Sequence, residues 1–555
     1  MVERALMAHP HISNTRSAGR AIGLWLALAA ATTAAAYGYD ETIHALLDRR
    51  AYDPGFSASE VALPTIAAAD ALRALVWEAG STHPDPEVQL GFRARYPTLA
   101  QFDGWAFKEL LGLNPDRPVV GLDQLPALPP RPTIGTLLAL GSRLPDDDGR
   151  NQDRFAHDAR RHVRIGPYGD PLPADPLQLT FGPLRGIASQ AYAHYGLPKV
   201  VLSDDPEVLR RDPRRFGYPP WIRAYGPQFA QLHTDLAVCA AGLGTPEGLA
   251  LGWLLAGNAH HYIQDAANQI HTLQGIYRFF IDAKTESWKE QLLSLGGVVR
   301  ARRGFVEIAI GIIRNHHHLT EQLFAKRVRE RVGELPRHTG PLAAVVAITE
   351  DPTAAIGRGD PRLERELDRE LGLASATDSG GADGRFGQII AEMLVEASSH
   401  EGAAVYEAIH ALAHPRYSRA GVTFDLKDDP DEALRPDVDP QTLARFYRLQ
   451  TTGFARAGSA LRRHVKLYRA TLATLRMDAT TRQQVALRAA RRLVATQFAW
   501  KMASEGRLAS YTPPPPLRQT VDLWIPAALA GLILTGAVAR NALRRRRHHQ
   551  EPRPI

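Results

Sequence analysis

Set in an apolar, Ala- and Leu-rich helical context, residues 257–271 carry two histidines and an aspartate at the spacing His261-x3-Asp265-x5-His271, with His260 beside the first. Ionisable groups in such a setting are costly to bury unless they are paired or bound to metal. A fold that buries this helix face therefore has to give these groups partners or a metal. His261 and Asp265 are four residues apart and share one helix face, where an imidazole and a carboxylate can grip one cation. His271 follows His261 at ten positions, roughly 80° off that face if the helix runs on. It joins the same cluster if the helix ends or bends near Gln269, and otherwise serves a neighbouring metal. The bland alternative is a polar helix face with scattered histidines.

The chain around this stretch has 555 residues, enough for one large or two ordinary domains with a substantial core. Ala, Leu and Arg recur with helical periodicity, and alternating β-branched runs are scarce. Helices are expected over 40–49, 227–242, 246–265, 288–318, 386–410, 440–474 and 480–503. Pro- and Gly-rich connections at 114–133 and 167–183 separate them, with a charged helix-like stretch and a Gly-rich loop between 357 and 387. The fold class is all-α, a multi-helix domain with long loops. Cys239 is the single cysteine, so no internal disulfide forms, and stability rests on core packing and on metal if the site holds one.

The ends of the chain read as membrane elements. Arg16 and Arg20 precede an apolar run to about Ala36 that ends in small residues, an export signal or an uncleaved anchor. Residues 523–539 are apolar and uncharged, about the minimum length of a span, with Trp524 at one edge and Arg540 and Arg544 to Arg547 beyond the other. This predicts a C-terminal transmembrane helix at 521–540 and a basic cytoplasmic tail at 541–555. The body then lies outside the cytoplasm, periplasmic or extracellular, as a single-pass membrane protein. Pro513 to Pro516 form a stiff stalk within 511–520. The net charge of +7 owes four charges to Arg544–Arg547, so it does not point to a nucleic-acid partner. The Arg-rich region 442–501 is either a surface for anionic lipid or a solvated helix face.

The segment His261-Tyr262-x-x-Asp265-x-x-x-Gln269-x-His271 resembles the signature of the zinc-dependent phospholipase C family, with Gln269 in place of that family's proline. The family shares its all-helical fold with single-strand-specific zinc nucleases. Three further pieces fit in order: Tyr39-x4-His44, the acidic run Asp146-Asp147-Asp148 with Arg154, Phe155 and His157, and Asn315-x-His317-x3-Glu321. Together they cover about half the chain, and nothing past residue 340 resembles the family. Two departures stand out. The family's N-terminal Trp is absent, with Tyr37 and Tyr39 nearby, and His157 is followed by Asp158 and Ala159 rather than the family's Phe-Tyr.

The resemblance implies a catalytic core at 37–340 behind a signal at 1–36, with 341–510 as a helical extension packed on it. It also implies a cluster of two or three zinc ions. His261, Asp147 and His157 would surround one zinc, with Asp265 bridging to a second that His44 completes, and His271, His317 and Glu321 would bind another. Asp146 or Asp148 would orient the attacking water. The implied reaction is phosphodiester hydrolysis on a phospholipid headgroup, next to the membrane that anchors the chain. A nuclease or nucleotidase of the same fold, and an inactive metal-stabilised scaffold, stay open. His83, His400, His410 and His414 read as loop, surface or packing residues, and His260 and His316 as flanking donors or exposed groups.

Overall fold

The structure is a computed structural model that describes residues 41–111, 128–145, 157–158, 163–164, 194, 196–201, 203, 205–215, 226–273, 315–335, 351–372, 384–418, 424 and 429–504. It is predominantly helical. In chain order the principal helices are α1 (Glu41–Ala51), α2 (Ile66–Ser81), α3 (Ile134–Arg143), α4 (Gly226–Ala241) and α5 (Pro246–Ala267). They are followed by α6 (His317–Val332), α7 (Pro352–Arg358), α8 (Pro361–Glu370), α9 (Phe386–Leu412), α10 (Pro440–Leu475) and α11 (Ala479–Ser504). Among the described residues the only strands are His157–Asp158 and Val163–Arg164, a short antiparallel pair.

The starts of many helices are written in the sequence as an acceptor followed by proline. Thr245, Asp351, Asp360 and Asp439 each accept a backbone N–H of the first turn, and Pro stands directly after each of them. The side chain satisfies a donor that the helix cannot, and the proline brings its φ preset and no N–H to lose. Such a cap stabilises its helix by about 1 kcal/mol. Five of the expected helices correspond to α1, α4, α5, α9 and α10 within two residues at each end, and α11 likewise. Helix α2 has no counterpart among the expectations. The stretch 288–314 lies outside the described residues, and α6 begins at His317.

Helix α5 is the axis of the molecule. Every residue from Ala250 to Ala267 is buried, because α3, α4, α9 and α10 pack around it. It meets α3 with backbones in contact. A Cβ on Gly257 would run into the Leu138 carbonyl, and one on Gly141 into the Leu254 carbonyl. The C-terminal helices belong to the same apolar core, with Phe454 of α10 edge-on to Phe324 of α6 and the Tyr468 hydroxyl donating to the Ala237 carbonyl at 3.1 Å.

Several arginines of the 442–501 region are occupied within the protein. Arg456 binds Glu401 through two bonds of 2.8 and 2.9 Å, Arg463 binds Asp368 at 2.6 and 2.8 Å, and Arg492 clasps the buried Asp235. Arg445, Arg448 and Arg476 remain exposed. Among the described residues no helix is long and apolar enough to cross a membrane. The segments 1–36, 511–520, 521–540 and 541–555, with Tyr37 and Tyr39, lie outside the described residues.

The α3–α5 contact yields a stability test. Gly257→Ala should cost about 1–3 kcal/mol by overpacking, read as a lowered midpoint of chemical denaturation. Gly104→Ala, whose added methyl meets nothing within 4 Å, should leave the midpoint unchanged.

Candidate metal centre

The inward face of α5 carries His261 and Asp265, both fully buried, with His261 Nε2 3.2 Å from Asp265 Oδ2. The Ser142 carbonyl at the end of α3 lies 2.9 Å from His261 Nδ1. A carbonyl only accepts, so Nδ1 carries the proton and Nε2 keeps its lone pair for the interior. The close approach of α3 that the two glycines permit is what brings this carbonyl within reach.

The helix ends at Ala267, and the chain turns through Asn268 into a 3₁₀ turn, Gln269–His271. That break swings His271 back onto the cluster, as the spacing required. Its Nδ1 lies 3.4 Å from Asp265 Oδ1, and its Nε2 lies 3.2 Å from Glu321 Oε1. Gln269, the motif position that departs from proline, fastens the turn instead of stiffening it. Its Nε2 donates to the Leu449 carbonyl at 2.6 Å and to Glu401 at 3.1 Å, which tie the turn to α10 and α9.

Helix α6 adds His317 and Glu321 one turn apart, with His317 Nε2 3.0 Å from Glu321 Oε1. The His317 ring stacks on His271 at 5.0 Å between centroids. Helix α1 adds His44, whose Nε2 lies 3.7 Å from Asp265 Oδ1. Two groups of ligand atoms result, each within 4.8 Å: His44, His261 and Asp265, and His271, His317 and Glu321. Asp265 faces both, with Oδ2 toward His261 and Oδ1 between His44 and His271.

A seventh side chain, His194, completes the cluster and has no place in the sequence reading. Its Nδ1 lies 2.5 Å from Asp265 Oδ2 and 2.9 Å from His261 Nε2, and its side chain is 1% exposed. No helical spacing links it to the other ligands. Its one mark in the sequence is the pair His194-Tyr195, which repeats His261-Tyr262.

The arrangement fits a cation. Asp265 Oδ1 is fully buried yet has no hydrogen-bond partner. A carboxylate oxygen left so is costly in a low-dielectric interior. Burial pushes the Asp265 carboxyl up, but the imidazoles of His261, His271 and His194 outweigh it and hold the group well below the usual range. Burial holds the His271 imidazole well below its ordinary value, only partly opposed by Asp265. An ionised carboxylate and a neutral imidazole are the forms that ligate metal. A nitrogen and oxygen donor set of this kind suits zinc and other divalent transition metals.

Of the residues expected from sequence, His44, His261, Asp265, His271, His317 and Glu321 converge. Asp146, Asp147 and Asp148 lie outside the described residues, as does the side chain of His157, whose backbone forms the short strand. The remaining histidines have local work. His83 Nδ1 accepts from the Asp85 amide and His414 Nδ1 from the Arg416 amide. His400 sits 3.0 Å from Arg214.

Asp265→Asn should strip divalent metal from the group of His44 and His261, to which that carboxylate belongs, and leave the group of His271, His317 and Glu321 loaded. His194→Ala should weaken binding by at least about tenfold on the His261 side alone. Elemental mass spectrometry after dialysis against a competing chelator reads both. In comparisons with known proteins, no family model, curated protein or solved structure matches this chain.

Proposed function

We propose that this chain is an exported, membrane-anchored, zinc-dependent phosphodiester hydrolase of the phospholipase C type, acting on the headgroup phosphodiester of a phospholipid. The observation that carries the reading is a pair of adjoining buried His/carboxylate groups, His44, His261 and Asp265 beside His271, His317 and Glu321, with Asp265 Oδ1 between His44 and His271. The residues that would hold zinc are His44, His194, His261 and Asp265 on one side and His271, His317 and Glu321 on the other. Zinc bound there would supply Lewis acidity, lowering the pKa of a coordinated water toward neutrality and neutralising phosphate oxygens.

The chain's own residues perform the rest. The Ser142 carbonyl holds the His261 ring in one tautomer, and Gln269 holds the turn that presents His271. The apolar packing of α5 keeps water off the cluster, which strengthens every charge interaction inside it. Asp146 or Asp148, two positions of the acidic run in the sequence after α3, would orient the attacking water. The span at 521–540 and the basic tail after it would set this body beside lipid, the substrate that a tethered hydrolase meets first.

The test is turnover of a chromogenic phosphocholine ester by the full chain, abolished by chelation and restored by zinc. Asp265→Asn should lower the rate by more than about 100-fold, since metal stabilisation of the transition state is worth several kcal/mol. Cleavage of single-stranded DNA without ester turnover would move the reading to a nuclease. No turnover of either with zinc bound would leave a metal-stabilised scaffold.

A further inference from the structure

Beside the metal centre, where α1 meets α5, runs a second buried set of polar side chains. Asp48, His260, Gln264, His464 and Thr234 are all fully buried. They come from three helices besides α5 itself: Asp48 one turn after His44 on α1, Thr234 on α4 and His464 on α10. His260 and Gln264 are four residues apart on α5, the same spacing as His44 and Asp48. Each of the five makes hydrogen bonds to the next, and the direction of each bond can be read.

The chain of bonds starts at a carbonyl. The Thr234 hydroxyl donates to the Ala230 carbonyl at 2.7 Å, so its oxygen accepts from His464 Nε2 at 2.9 Å. Burial and the neighbouring His260 hold the His464 imidazole well below its usual range. A neutral ring that donates from Nε2 accepts at Nδ1, and His260 Nε2 stands 3.0 Å from that atom as the donor. The other His260 nitrogen, Nδ1, lies 2.6 Å from Asp48 Oδ1, with one proton between them. The Tyr52 hydroxyl donates to the same oxygen at 3.0 Å.

The second oxygen of the Asp48 carboxylate, Oδ2, offers an acceptor to Gln264. Gln264 therefore turns its amide nitrogen to Oδ2, at 3.0 Å, and its carbonyl oxygen to His44 Nδ1, at 2.5 Å. His44 must then carry its proton on Nδ1. Its Nε2 is left with the lone pair, and that is the nitrogen that faces Asp265 in the metal centre.

We infer that Asp48, acting through the Gln264 amide, is a positioning residue that fixes the tautomer and ring orientation of His44, and that His260 and His464 hold Asp48 in that role. The inference rests on the reading of His44 as a metal ligand. It assigns work to a helix of the C-terminal half, since His464 of α10 is the outer anchor of the chain. A carboxylate followed by an amide transmits direction because the carboxylate accepts only, whereas an amide in its place would accept or donate.

Asp48→Asn makes that replacement with almost no change in volume. In the full chain labelled with ¹⁵N-histidine and stripped of metal, the wild-type His44 should give the signature of a single Nδ1–H tautomer. In Asp48→Asn both tautomers should appear. Competition titration with a zinc chelator should show the sites that include His44 weakened by about 10- to 100-fold, with the site of His271, His317 and Glu321 unchanged. Should Asp48→Asn fail to fold, Gln264→Met leaves the Asp48–His260 pair intact, removes only the link, and should give the same two results. A single tautomer with unchanged zinc affinity in these variants overturns the inference. A wild-type chain that binds no zinc sinks the metal reading instead, while the tautomer measurement still judges the relay.

Discussion

A carboxylate sits at the centre of this protein with no access to water. Asp265 is placed there by α5, buried along its length from Ala250, and four imidazoles, those of His44, His194, His261 and His271, surround it. Burying an ion in this way opposes folding unless its charge is answered within the interior. The surrounding structure is arranged to answer it. Helix α5 ends two residues beyond Asp265 so that His271 can reach back, α6 starts with a histidine that pairs with Glu321, and α1 lays His44 against the other side.

The close approach of α3 serves the same end. Two glycines let the backbones touch, and what the contact delivers is the Ser142 carbonyl on His261. The packing that joins the helices and the hydrogen bond that orients the ligand come from one geometric fact. Similarly, Gln269 tethers the turn after α5, and the tether runs to Glu401, which Arg456 holds in turn. The helices beyond residue 340 are in this sense part of the centre's mounting as well as of its apolar core.

Much of this was legible in the sequence. Helices were readable because apolar periodicity coincides with Asp-Pro and Thr-Pro starts, as at Thr245-Pro246 and Asp439-Pro440. The pair His261/Asp265 was readable because a spacing of four puts both on one helix face. His317/Glu321 was expected only from a motif resemblance, since the helix expected there ended at 318 and the one observed begins at His317. His271 required the helix to stop, and the sequence offered only the condition. His194 lies in a stretch with no periodic neighbour, so nothing local distinguishes it from a surface histidine. Asp48, Gln264 and His464 resemble any polar residues of amphipathic helices, and their roles exist only once three helices are assembled. Ile66–Ser81 was missed because its Ala-rich pattern has no sharply polar face.

The length of the connections in this network has a kinetic meaning. The bond between His44 and Gln264 joins residues 220 apart in sequence, and that between His260 and His464 joins residues 204 apart. Contacts of such separation cost loop-closure entropy before they return any stability, and chains rich in them fold slowly. Local helices such as α5 can form early, but the ligand from α1 acquires its orientation only after α10 has docked. The competent centre is therefore a late product of folding, and a chain interrupted before residue 464 would hold most of the ligands without the arrangement that aims them.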